Sequence, residues 1–129
     1  MNGNALSGMR VLYVEDDPDI RAIAELALRD VGGLDATLCA GGQDAVAIVD
    51  QIRPQLVLLD VMMPGMDGPE TLQALRQHSC MDSVPVIFMT ARLQPEEIEE
   101  YLSLGVIGVI PKPFDPMTLA DQIRDLLTT

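Results

Sequence analysis

Five short aliphatic runs alternate with stretches of helical period along this chain, and that alternation most restricts what it can fold into. Val11-Leu12-Tyr13-Val14, Ala36 to Cys39, Leu56-Val57-Leu58-Leu59, Val84 to Met89 and Ile107 to Ile110 read as strands. The longest-buried type, Leu56 to Leu59, has no polar interruption, which marks a strand covered on both faces. Between the strands, apolar residues recur at helical spacing. Ile20, Ile23, Ala24, Ala27, Leu28 and Val31 form one inward face, ended by Gly32-Gly33. Ala45, Val46, Val49 and Ile52 form the second, Leu72 and Leu75 the third, and Ile98, Tyr101 and Leu102 the fourth. Leu119, Ala120, Ile123, Leu126 and Leu127 form the last. Prolines mark four helix starts, at Pro18, Pro69, Pro95 and Pro116, with Asp17 and Asp115 as caps for the first and last.

Strict strand–helix alternation without a linker predicts one α/β domain, a doubly wound (βα)5 parallel sheet with right-handed crossovers. Pro111 lacks a ladder donor, so the fifth strand is expected at an edge; the weaker second strand is expected at the other. The chain's 129 residues suffice for one buried core. Residues 1–8 read as a short polar leader with no apolar signal segment, and nothing reaches the roughly 18 apolar residues of a membrane span. Cys39 and Cys80 have no metal or redox spacing and read as free thiols of a cytoplasmic protein. A net charge of −12 argues against direct binding to nucleic acid or anionic membranes.

The chemistry lies at the strand ends. All carboxyl ends of a parallel sheet share one side, where ligands bind. Strands one, three, four and five end there in Glu15-Asp16-Asp17, Asp60, Thr90 and Lys112, the last being the only lysine among eight basic residues. Asp17 is accounted for as a helix cap, but Asp16 with Asp60 is not. Two carboxylates ~4 Å apart repel by about 4 kcal/mol at an effective dielectric near 20. A hard divalent cation removes that penalty, and oxygen ligands beside phosphate chemistry suit Mg²⁺.

These residues, in this order, carry a resemblance. Val14-Glu15-Asp16-Asp17-Pro18, Leu59-Asp60-Val61-Met62-Met63-Pro64-Gly65-Met66-Asp67-Gly68, Met89-Thr90-Ala91 and Lys112-Pro113-Phe114 resemble the receiver domain of bacterial two-component response regulators, over residues 9–127. The resemblance implies a flavodoxin-like fold with strand order 2-1-3-4-5 and a cis bond at Lys112-Pro113. It implies that Asp60 accepts a phosphoryl group from a phosphohistidine on a sensor histidine kinase or phosphotransfer protein. Asp16, Asp60 and the backbone carbonyl of Met62 would hold Mg²⁺, with Glu15 assisting through water. Lys112 would pair with the phosphoryl oxygens and Thr90 would hydrogen-bond to them. A downstream protein target would read the face formed by residues 95–127. Each role suits phosphoryl transfer, which needs positioning and charge neutralisation more than covalent chemistry.

Other residues have plainer readings. His78 reads as a helix-end residue, Met62, Met63 and Met66 as loop packing, and Glu96-Glu97-Glu99-Glu100 as a solvated face near a helix N-terminus. Val109 departs from the family pattern, because most receivers carry an aromatic residue three positions before the lysine. Without a ring to turn inward, output is expected through the loop after Thr90 or shifts of the fourth helix and fifth strand. Met62 and Arg92, two positions past Asp60 and Thr90, predict slow self-dephosphorylation. The expected function is a phosphoacceptor switch rather than a turnover enzyme. Alternatives are a receiver module of a larger regulator or hybrid kinase, or a degenerate receiver that only docks. The start at Met1 and the end at Thr129 favour a stand-alone protein over the larger regulator. An aspartyl phosphatase usually has a second acid where Met62 stands.

Overall fold

A computed structural model describes residues 6–128. The strands are β1 (Arg10–Val14), β2 (Asp35–Cys39), β3 (Leu56–Asp60), β4 (Val86–Thr90) and β5 (Gly108–Pro111). They form one sheet in the order β2-β1-β3-β4-β5, with every pairing parallel. This is the flavodoxin-like order, and both expected edges, β2 and β5, lie where the sequence places them. The helices are α1 (Pro18–Glu25), α2 (Gly42–Ile52), α3 (Gly68–Leu75), α4 (Pro95–Ser103) and α5 (Leu119–Leu127). Part of the leader, residues 1–5, lies outside the described residues, whereas Leu6 is buried.

Strand side chains alternate between two cores, as a period of two requires. Leu12, Val14, Val57, Leu59, Val86 and Phe88 meet α2, α3 and α4 through Val49, Leu72, Leu75 and Tyr101. Val11, Tyr13, Leu56, Leu58, Ile87 and Met89 meet α1, the helical stretch that continues it, and α5 through Ala24, Leu28, Leu119 and Ile123. All five residues of β3 are buried, which makes it the sheet's rigid middle.

Several helix details depart from the periodicity. Beyond Glu25 the first helix continues as a π-helical stretch, Leu26–Val31. Its wider turn, with Gly32 N–H donating to Ala27 O, carries Val31 outward to 38% exposure. Ile23 and Leu102, expected inward, are also exposed; in α4 Tyr101 takes the core position and packs edge-on against Phe88. The last helix starts at Leu119 rather than Pro116. Asp115 does cap, but it caps a turn: its Oδ1 accepts from Met117 N–H, and its carbonyl accepts from Thr118 and Leu119. The fourth strand starts at Val86 rather than Val84, with Pro85 contributing only its carbonyl, to Val57 N–H.

Gly68 opens α3 against the end of β3. A Cβ there would lie 2.8 Å from both Asp60 O and Val61 Cα, backbone atoms that cannot step aside. Gly68→Ala gains up to about 1 kcal/mol of helix propensity but meets an overpacking cost of about 1–3 kcal/mol. A net loss of about 1–2 kcal/mol is expected from urea unfolding. An unchanged or more stable variant would show that α3 can shift freely from Asp60.

Candidate functional site

The crevice at the carboxyl ends of β1, β3, β4 and β5 collects the expected residues. Glu15 follows β1 and its N–H donates to Cys39 O, so β2 holds its backbone. Asp60 ends β3, and Thr90 ends β4. Lys112 follows β5, on the amino side of the cis Lys112-Pro113 bond, and its N–H donates to Thr90 O. Glu15, Asp60 and Thr90 are all buried; Asp16 is partly exposed.

One ammonium serves two carboxylates. Lys112 Nζ lies 2.8 Å from Glu15 Oε1 and 3.1 Å from Asp60 Oδ1. Burial alone would lower the Lys112 pKa, but its bonds to Glu15 and Asp60 outweigh that and hold it raised. Glu15 receives too little compensation. Burial, opposed by Lys112 and reinforced by Asp60, pushes its pKa up to about 7. Carboxylate oxygens of Glu15, Asp16 and Asp60 lie within 4.8 Å of one another, a donor set that fits a hard cation with oxygen ligands.

The raised Glu15 pKa has a direction that can be measured. An acid whose folded pKa exceeds its unfolded one stabilises the fold below the unfolded value and loses that contribution as pH rises through the folded one. The metal-free protein therefore loses stability through Glu15 as pH rises from 4.5 to about 7. A cation must displace the same proton, so its affinity rises across that window. Melting curves with and without Mg²⁺ should show greater stabilisation by Mg²⁺ at pH 8 than at pH 6. Equal stabilisation at both would count against the shift.

The surrounding polar atoms hold the crevice in shape. Met62 N–H donates to Asp60 Oδ1 at 3.3 Å, while the Met62 side chain is 58% exposed rather than packed in the loop. Thr90 Oγ1 accepts from Arg92 N–H at 2.9 Å; the Arg92 side chain is exposed, 3.8 Å from Glu97. Asp17 caps α1 as expected, accepting from Asp19 and Ile20, and its own N–H donates to Glu15 Oε2. Sequence reasoning missed Arg21, whose Nη1 donates to the carbonyls of Glu15 and Asp16 at 2.8 and 3.0 Å. Its one signal was a lone arginine on the first turn of the helix that follows the acids.

Residues set aside earlier lie elsewhere. His78 follows α3 and pairs with Asp50 at 3.1 Å. Both cysteines are free thiols, and burial pushes Cys39 up to about 11. Val109 is half-buried and packs on the core that contains Phe88 and Tyr101.

An open α/β sheet here brings three acids, a hydroxyl and one lysine together at its carboxyl end. Residues 11–124 match the family described as response regulator receiver domain, and the chain belongs to that family. It is 35% identical over 115 residues to the DNA-binding response regulator MtrA of Mycolicibacterium smegmatis, covering 89% of this chain and 49% of that protein. It is 36% identical over 118 residues to the response regulator Rre1 of Synechocystis, covering 91% and 51%. The chain thus spans about half the length of these relatives. The chemotaxis protein CheY4 of Vibrio cholerae superposes with a TM-score of 0.86 at 31% identity, covering 93% of this chain and 99% of that one. A receiver domain from a histidine kinase of Syntrophus aciditrophicus gives 0.78 at 29%, covering 94% and 91%. The family acts as a phosphoacceptor switch.

Proposed function

We propose that Asp60 is the phosphoacceptor of this receiver, taking its phosphoryl group from a phosphohistidine on a sensor histidine kinase or phosphotransfer protein. The observation that carries this reading is the Lys112 ammonium set between Glu15 and Asp60 at the end of the central strand. An Asp60 carboxylate oxygen attacks phosphorus, the phosphorus–nitrogen bond breaks, and the imidazole leaves with the electron pair and takes a proton. Lys112 moves from the carboxylates to a phosphoryl oxygen, and the Thr90 hydroxyl donates to another. Asp16, Asp60 and the Met62 carbonyl are the groups that would hold Mg²⁺, with Glu15 assisting through water. Bound there, Mg²⁺ supplies positive charge beside the phosphoryl oxygens. Acetyl phosphate with Mg²⁺ tests this: one phosphoryl group should appear, mapped to the peptide containing Asp60. Labelling elsewhere, or none, refutes it.

The switch acts in the cytoplasm and has little turnover of its own. Its output is a protein target that reads the face of residues 95–127; the charge of −12 disfavours direct contact with nucleic acid or membrane. Among the described residues no helix is long and apolar enough to cross a membrane. A second reading, supported by the chain's spanning half of DNA-binding relatives, is that the receiver controls an effector domain within a larger regulator. The exposed Met62 side chain offers no hydrogen bond to an attacking water, so the phosphorylated state decays slowly. Met62→Asn should accelerate decay about tenfold or more, a loss of about 1.4 kcal/mol from the barrier. A variant that decays no faster than the parent removes Met62 as a determinant of lifetime.

A further inference from the structure

Tyr13 sits on β1 two residues before Glu15, whose N–H continues the pairing with β2 at Cys39 O, so the alternation puts the two residues on the same face of the sheet. Its ring is fully buried, and its hydroxyl is the buried side-chain polar atom without a hydrogen-bond partner among the described residues. Its strand neighbours in register, Leu38 and Leu58, are aliphatic. Phenylalanine would fill such a place without stranding an oxygen, and an orphaned buried group in a native fold asks for an explanation. Burial, then the nearby charges of Glu15 and Asp60, push the phenol's pKa upward, so the hydroxyl stays protonated and able to donate.

Glu15 is the acceptor that changes state. In the free protein Lys112 holds Oε1 and Asp17 N–H holds Oε2. Once Lys112 turns to a phosphoryl oxygen, Oε1 loses its charged donor, and beside the water through which Glu15 would assist Mg²⁺ the buried carboxylate still has an open acceptor site. A strand advances about 6.6 Å over two residues, and side chains lean along the strand direction. A tyrosine is long enough to bring its hydroxyl to the glutamate two positions on.

We propose that the Tyr13 hydroxyl is a reserve donor to Glu15, engaged when Lys112 leaves for the phosphoryl group on Asp60. Tyr13 is thus a positioning residue: it makes the exchange of Lys112 between partners less costly. The proposal rests on the phosphoacceptor reading above.

Tyr13→Phe removes one oxygen and keeps the ring. Melting temperature of the free protein and affinity for beryllofluoride with Mg²⁺ would be measured for parent and variant, each also carrying Glu15→Gln. The free variant should melt at or above the parent, while its beryllofluoride affinity weakens about tenfold, the size of one hydrogen bond to a charged acceptor. In the Glu15→Gln background the same change should cost less than threefold, the coupling a shared contact produces. A lower melting temperature would show the hydroxyl already satisfied at rest, which overturns the proposal. So would an affinity within twofold of the parent, or an equal loss in the Glu15→Gln background. If the parent itself binds no beryllofluoride, the phosphoacceptor reading fails and takes this proposal with it; binding by the parent separates the two.

Discussion

Asp60→Asn should abolish phosphoryl uptake from acetyl phosphate while leaving the protein folded. The amide keeps the shape of the side chain but lacks the anionic oxygen that attacks phosphorus. The effect on stability is the balance of two large terms. At an effective dielectric near 20, the attraction lost to Lys112 at 3.1 Å is about 5 kcal/mol. Above the Glu15 pKa of about 7, the repulsions relieved, from Glu15 and Asp16 at up to 4.8 Å, are about 3–4 kcal/mol each. These largely offset one another, so a shift of no more than about 3 kcal/mol in unfolding free energy is expected. Intact-mass spectrometry beside a urea melt separates the outcomes. Labelling at the parent's level would remove Asp60 as acceptor; an unfolded variant would show that the cancellation is wrong.

Lys112→Gln should slow phosphotransfer by about 10²–10³-fold, the usual cost of removing one preorganised donor to a developing anion. The loss has a structural cause beyond charge. Lys112 N–H is tied to Thr90 O, and Nζ touches both buried acids, so the ammonium is already held against the Asp60 carboxylate. Lys112→Arg restores charge but replaces a compact ammonium with a planar fork, and its rate should stay at least about tenfold below the parent. Rates with a phosphohistidine donor, measured alongside Mg²⁺ affinity, test this. A Lys112→Gln rate within tenfold of the parent would mean that Lys112 serves the resting site rather than the transfer.

Much of this was legible in the residues because two kinds of signal agreed. Apolar runs and helix caps placed five strands and five helices in order, and the parallel sheet then forced Glu15, Asp16, Asp60, Thr90 and Lys112 into one crevice. The strand order rested on the receiver resemblance, since alternation alone leaves the order open. What the sequence hid was set by backbone detail and side-chain placement rather than by residue type. The π-helical turn at Leu26–Val31 has no residue signature distinct from the α-helix before it. Asp115-Pro116 looks identical whether it caps a helix or the turn that precedes one. Arg21 turns back to the carbonyls of Glu15 and Asp16 in the loop before its own helix, a local contact that no residue pattern marks, and the stranded hydroxyl of Tyr13 reads in sequence as any strand aromatic.

Lys112 is the one side-chain primary amine in 129 residues. Amine-directed acylation of this chain, apart from its α-amino group, is therefore a reaction of the site itself. Because the Lys112 side chain is only 16% exposed and its ammonium is bonded to two acids, it should resist such reagents at rest. On the phosphoacceptor reading proposed above, the residue that would handle the phosphoryl group is thus also a built-in chemical reporter of whether the crevice is open or engaged.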